Sequence, residues 1–237
     1  MTCKLWFESL LKDYDIEAFY YISLMTNLPS IVKYGILPQN MVLKKDVNYS
    51  SFADEEVQKR RDGRIVELSR SIWDERSQTW MPKYPNCPKV SGHDLVPLYF
   101  TSLTPTLYAR KHLQEELVCI KVDPHIIFDT SVLFAFSDGN IAGQNTCYYN
   151  SLQDISLLPW DVIRAKYWTD FEDGKRKRNA EFLVYPFIAP KHFLGICANS
   201  QQSAEKAQCI VGDDAEILVD KKCFFDKGQV LCSIRWE

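Results

Sequence analysis

A glutamate stands where an apolar strand is expected. Glu181 lies between Ala180 and Phe182-Leu183-Val184, and burying a carboxylate without a partner is costly. Two readings follow from the residues alone: a strand-end glutamate paired with Arg178 or Lys177, or a carboxylate held in place for chemistry. Directly before it runs Lys175-Arg176-Lys177-Arg178, the densest positive stretch of the chain. That run suits either a solvated loop or a row of phosphate contacts. A second basic cluster, Val57-Gln58-Lys59-Arg60-Arg61, falls in a segment of helical character, where an exposed helix cation is the plain reading. Asn140, in Ser137-Asp138-Gly139-Asn140, carries both a donor and an acceptor; it suits the reading of a base edge or a Gly-Asn turn. Tyr20-Tyr21, Tyr148-Tyr149, Tyr99 and Tyr108 are stacking surfaces for a flat ligand or members of a β-rich core.

The elements that must position these residues are short. Residues 18–23 read as an aromatic strand after a helix over 8–17. Residues 27–35 read as a helix, with Asn27 as cap, Pro29 in the first turn and Gly35 at the end. Residues 54–68 have helical character, and 80–88 cannot be regular because three prolines remove backbone donors. Strands are expected over 95–100, 117–122, 126–128, 132–136, 180–185, 194–198, 217–219 and 230–234. Helices are expected over 104–112 and 201–208, with a broken one over 151–168. Many short strands with few helices indicate an α+β fold in a single domain spanning residues 1–237.

Bulk properties bound the partners. The chain has 237 residues, net charge −3 and 46% hydrophobic residues, so nucleic-acid binding must come from local basic patches. Eight cysteines form no C-x-x-C pair and the four histidines are scattered; zinc-ligand spacing is absent and no metal is expected. No apolar stretch reaches the length of a membrane span, and the first residues run quickly into charges without a secretory core. The expectation is a cytoplasmic protein with free thiols and no membrane contact.

Four blocks, in order, resemble one family. Lys175-Arg176-Lys177-Arg178-Asn179-Ala180-Glu181-Phe182-Leu183-Val184 is similar to the basic loop and A-E-F-L-V segment of the DarT family, bacterial toxins that ADP-ribosylate DNA. Tyr20-Tyr21-Ile22-Ser23 with Asn27-Leu28-Pro29-Ser30-Ile31 resembles that family's first strand and N-L-P-x-I helix. Val96-Pro97-Leu98-Tyr99-Phe100 with Leu107-Tyr108, and Ser137-Asp138-Gly139-Asn140-Ile141-Ala142, resemble two further blocks. Together they cover about residues 18–200. The chain departs from the pattern at Tyr21-Ile22-Ser23, where the family has His-x-Thr, and at Thr106, where it has methionine.

The resemblance implies an ADP-ribosyltransferase-like domain with a central split, mainly antiparallel sheet flanked by helices. It implies transfer of ADP-ribose from NAD, as co-substrate, to a thymidine or guanosine base of single-stranded DNA. The pairing would be with an antitoxin of ADP-ribosyl hydrolase activity. It assigns catalysis to Glu181 and to Arg61, with Arg60 as near alternative, and NAD binding to Tyr21, Ile22, Ser23, Ser30, Leu37 and Arg61. DNA contact falls to Asn140, Lys175, Arg176, Lys177 and Arg178. A carboxylate there would stabilise the positive charge that builds on ribose as the nicotinamide bond breaks. An arginine, too basic to act as a general base, would act electrostatically. A transferase for protein or RNA, or a non-catalytic NAD- or nucleic-acid-binding module, are the competing readings.

Overall fold

A computed structural model describes residues 3–51, 55–68, 71–74, 76, 79–82 and 88–226. In chain order its strands are β1 (Phe19–Leu24), β2 (Ile65–Glu67), β3 (Ser71–Asp74), β4 (Thr79–Pro82), β5 (Lys89–Ser91), β6 (Val96–Tyr99), β7 (Leu117–Val122), β8 (Leu133–Ser137), β9 (Tyr148–Tyr149), β10 (Glu181–Tyr185), β11 (Phe193–Ala198) and β12 (Ile217–Val219). The α-helices are α1 (Cys3–Asp13), α2 (Leu28–Tyr34), α3 (Gln39–Lys44), α4 (Glu55–Asp62), α5 (Pro105–Ala109), α6 (Trp160–Arg164), α7 (Gly174–Lys177) and α8 (Gln201–Val211).

Eight strands form one sheet in the order β12-β11-β7-β1-β6-β10-β8-β9, antiparallel except for the parallel pair β11–β12. β1 pairs with β7 along its whole length but with β6 only at Tyr20↔Tyr99. The sheet is therefore split between β1 and β6, and the fold is the expected α+β with a mainly antiparallel sheet.

Alternation along the strands divides the core in two. Phe19, Leu98, Ile120, Phe134, Phe136, Phe182 and Val184 enter one large cluster covered by α1, α2, α6 and α8. On the opposite face two smaller clusters form, one around Ile22, Cys119, Cys197 and Trp168, the other around Val66, Leu95, Ala135 and Leu183. β10 is buried on both faces, which is why its sequence reads as a continuous apolar run. Glu181 shares Leu183's face at the start of that strand. Cross-strand registers set Tyr20, Tyr99, Glu181 and Ser137 in one row.

Several elements differ from the sequence expectation. The helix at 8–17 begins at Cys3 and ends at Asp13. Residues 54–68 divide into α4 and β2, because Ile65 to Glu67 pair with β5. Trp80, Met81 and Pro82 form β4 against β3 despite the proline, which sits at the strand end; residues 83–87 lie outside the described residues, as does the strand expected at 230–234. Residues 126–128 belong to a 3-10 helix, Pro124–Phe128, since Asp123 caps it by accepting from the His125 N–H at 2.8 Å. Asn27 makes no capping bond to α2.

Phe182 carries the centre of the large cluster. Its ring stacks on Phe19 (centroids 4.3 Å apart) and on Phe134 (5.4 Å). Phe182→Ala leaves a buried void and costs about 3–5 kcal/mol of stability. Urea titration checks this; a loss under about 1 kcal/mol contradicts the packing account.

Candidate active site

Glu181 is 2% exposed. Its Oε2 accepts from the Ile141 N–H at 2.9 Å and its Oε1 from Asn140 Nδ2 at 3.1 Å. The pairing with Arg178 or Lys177 does not occur. Burial pushes the carboxyl up from 4.5 to about 7, against the opposing pull of the Arg61 charge and the Ile141 hydrogen bond.

The loop that holds it is itself braced. Asn140 Oδ1 accepts from the Ala142 N–H at 2.9 Å, which fixes the amide so that Nδ2 faces Glu181. Thr146 Oγ1 and the Gly143 N–H donate to Asn140's carbonyl, and the Tyr148 hydroxyl donates to Ile141's at 2.7 Å. Arg176 donates from Nη1 to Asp138 at 2.7 Å and from Nε to Asp173. Gly139 lies directly on that arginine: a Cβ there would come within 2.5 Å of Arg176 Nη1 and 3.0 Å of its carbonyl oxygen. Asn140 is thus both a turn residue and the clamp on Glu181, so its amide is committed there before any base arrives.

Arg61 and Arg60 are held differently. Arg61, at the end of α4, donates from Nε to the Gly92 carbonyl at 2.9 Å and from Nη2 to the Leu95 carbonyl at 2.5 Å. Gly92 is required by this approach, since a Cβ would lie 2.4 Å from Arg61's carbonyl oxygen. From this position the guanidinium charge acts on Glu181, Tyr21 and Tyr99 together. Arg60 is exposed and donates to the Glu56 carbonyl on its own helix. Burial and the Glu181 charge push the Tyr99 phenol up.

Tyr21, Ser30 and Leu37 line one narrow cleft, with Ile31, Ile36 and Tyr49. The Tyr21 and Tyr49 hydroxyls lie 3.3 Å apart, and burial raises the Tyr21 phenol well above its usual value. Tyr49 was not legible in the sequence, because it lies in an irregular segment without periodicity. That segment is pinned by Asn27, which accepts from the Ser50 N–H at 2.7 Å and donates to the Ser50 carbonyl at 2.9 Å. Ser23 is fully buried beneath it, accepting from Asn27 at 3.1 Å. The Ile22 side chain points to the other face of the sheet, into the cluster with Cys119. The cleft stops short of Glu181, and Arg61 is the group that touches both electrostatically.

The basic run separates into two pairs. Arg178 is 6% exposed and donates to the carbonyls of Leu103, Val162, Ile163 and Ala165, the last three at the end of α6. A cation belongs there, facing the carbonyl end of a helix, and burial pulls its pKa down to about 10. Arg176 is engaged with Asp138 and Asp173 as above. Neither guanidinium is offered to solvent as the expected DNA contact requires, because both are held by internal acceptors. Lys175 is exposed and Lys177 half-buried on α7.

A split antiparallel sheet with a buried glutamate on the strand beside the split is the frame of an ADP-ribosyltransferase. Residues 68–225 match the family model described as "ssDNA thymidine ADP-ribosyltransferase, DarT". The chain is 27% identical over 212 residues, 86% of its length and 91% of the relative's, to a DNA ADP-ribosyl transferase of Thermus sp. (strain 2.9). It is 23% identical over 210 residues to a DNA ADP-ribosyl transferase–DNA ADP-ribosyl glycohydrolase fusion protein of Thermosipho africanus (strain H17ap60334), covering 87% of this chain and 49% of the fusion. The solved Thermus sp. 2.9 DarT in complex with ADP-ribosylated ssDNA has a TM-score of 0.72 at 23% identity, covering 89% of this chain and 97% of that one. The same protein in complex with NAD+ scores 0.65 at 20% identity, covering 89% and 98%. The chain belongs to the DarT family of DNA ADP-ribosyltransferases. Among the described residues no helix is long and apolar enough to cross a membrane.

Glu181 makes stability depend on pH. Its folded value near 7 lies above its unfolded value near 4.5. Its contribution is therefore full below about pH 4.5 and is lost as pH rises through 7. Glu181→Gln removes this dependence. Between pH 4.5 and 7.5 the wild type should lose about 1–3 kcal/mol relative to the variant. Paired urea titrations across that range check it; a pH-independent gap contradicts a raised Glu181.

Proposed function

We propose that this chain transfers ADP-ribose from NAD to thymidine of single-stranded DNA, with Glu181 and Arg61 as its catalytic pair. The observation that carries the proposal is a carboxylate buried in the interior and held by the Ile141 N–H and the Asn140 amide, with the Arg61 charge acting on it and on Tyr21. In this reading the nicotinamide end of NAD lies along β1. Tyr21, Ser30 and Leu37 offer side chains, Ile22 offers only its backbone, and Ser23 acts from beneath. Ionised Glu181 faces the ribose as the glycosidic bond breaks and positive charge develops there. The cationic pyridinium of NAD favours that ionised form, so NAD binding near pH 7 releases a proton. Nicotinamide departs as the base ring nitrogen bonds to the ribose carbon, the ring N–H proton passes to solvent, and Arg61 lowers the cost of the charge on the base. A single-stranded acceptor fits because a paired base hides that edge.

Thymidine is favoured over guanosine by the description of the matched family. The Thermosipho fusion joins a DNA ADP-ribosyl transferase to a DNA ADP-ribosyl glycohydrolase. That supports a toxin whose modification is reversed by a separate hydrolase antitoxin. Nuclease digestion of mixed single-stranded oligonucleotides after incubation with NAD, followed by mass spectrometry, tests the acceptor. ADP-ribosylated thymidine is expected; modification of guanosine alone, or only of added RNA or protein, overturns the assignment.

For the DNA path, Lys175 and Lys177 take the phosphates, while Arg176 braces the Glu181 loop and Arg178 the interior. Replacing both lysines by serine should reduce the slope of log K against log salt by about 1.4, the value for two contacts on a single strand. NAD affinity should not change. An unaltered slope, measured by fluorescence anisotropy, places the DNA elsewhere.

A further inference from the structure

Three thiols meet on the far side of β1 from the Tyr21 cleft. Ile22 of β1 pairs with Cys119 of β7, and Cys119 with Cys197 of β11, so all three share one face. Cys223 closes over them from the one-turn helix Lys221–Cys223 that follows β12. All three cysteines are buried and unbridged. Asp220 stands beside them, its Oδ2 3.7 Å from Cys223 Sγ.

We infer that Cys197, Asp220 and Cys223 form a binding site for a thiophilic divalent cation of the zinc type. Their donor atoms all lie within 4.8 Å of one another. Tetrahedral zinc with Zn–S about 2.3 Å and Zn–O about 2.1 Å sets its S and O ligands about 3.6 Å apart. The Cys223–Asp220 separation already matches that edge. Asp220-Lys221-Lys222-Cys223 also has the i, i+3 spacing of a C-x-x-C knuckle, with a carboxylate in place of the first thiol. Its turn is formed in advance: the Cys223 N–H donates to Asp220's carbonyl at 3.2 Å and the Lys222 N–H to Asp220 Oδ1 at 3.0 Å.

The surroundings suit the charge. Lys121 Nζ lies 2.7 Å from Asp220 Oδ2, and that oxygen has a second lone pair for a metal. A ligating carboxylate held by an outer hydrogen bond is the usual arrangement. A divalent ion with two thiolates, the carboxylate and Lys121 sums to zero, which removes the main cost of burying the group. No redox step is involved. Two S–H bonds break, two metal–sulfur bonds form, and two protons leave to solvent. The ion would tie the segment after β12 to the sheet directly behind the strand proposed to cradle NAD.

The test uses the full chain, reduced and stripped of metal, titrated with zinc and separately with cobalt(II). One ion per chain should bind with sub-micromolar Kd and release at least two protons. Cobalt should give a thiolate charge-transfer band and the intense visible bands of tetrahedral coordination. Zinc at a hundredfold excess over Kd should raise Tm by roughly 5–10 °C. Cys223→Ala should weaken binding at least 100-fold and Asp220→Asn about 10-fold, while Cys209→Ala, at an exposed thiol on α8, should bind like wild type. Should Cys223→Ala not fold, the wild-type titration and Asp220→Asn still decide. No stoichiometric uptake at micromolar metal, undiminished uptake in both ligand variants, or a disulfide among the three cysteines in protein purified without reductant overturns the site.

Discussion

The structure turns on one carboxylate kept inside the protein. Glu181 is buried, and its ionised form is tolerated because two donors bond to it and the Arg61 charge favours it. Each of these has its own support. The Asn140 amide is oriented by the Ala142 N–H, and Ile141 is held through its carbonyl by Tyr148. Arg176 ties the turn at Asp138 back to α7. Arg61 reaches its place only because Gly92 admits it and two carbonyls align it. Removing any of these leaves a buried charge less compensated, a far larger penalty than the loss of a surface contact.

The same constraint explains the sheet. Phe182 and Val184 anchor β10 in the large aromatic core, so the alternate positions Glu181 and Leu183 must face the other side. There the cover is two separate small clusters rather than one continuous core, and Glu181 lies at the margin between them. A strand buried on both faces supplies the rigidity that a catalytic group needs. The limited pairing of β1 with β6 leaves residues 21–24 supported through β7 alone, and the thiol cluster lies directly behind that support.

Local chemistry was legible in the sequence and long-range convergence was not. The apolar run after Glu181 and the Pro29–Gly35 punctuation of α2 were readable because periodicity and backbone-restricted residues act within a few positions. The fate of Lys175-Arg176-Lys177-Arg178 was not, since charge density does not tell which guanidinium finds carbonyls inside. Two of the four turned inward, to α6 and to Asp138. Asn27 looked like a cap because it precedes a helix, yet its amide is used on Ser23 and Ser50, a loop 23 residues away. Tyr49 and the three converging cysteines gave no signal, as their neighbours are set by strand order.

The central claim is that the charge of Glu181 acts chiefly on the transition state and far less on the bound cofactor. The direct measurement is single-turnover transfer to a single-stranded oligonucleotide by Glu181→Gln, beside calorimetric NAD affinity for wild type and variant. The account predicts a fall in the transfer rate of about 10²–10³, with NAD affinity changed far less. Unchanged transfer, or a loss of rate matched entirely by lost NAD binding, would contradict it.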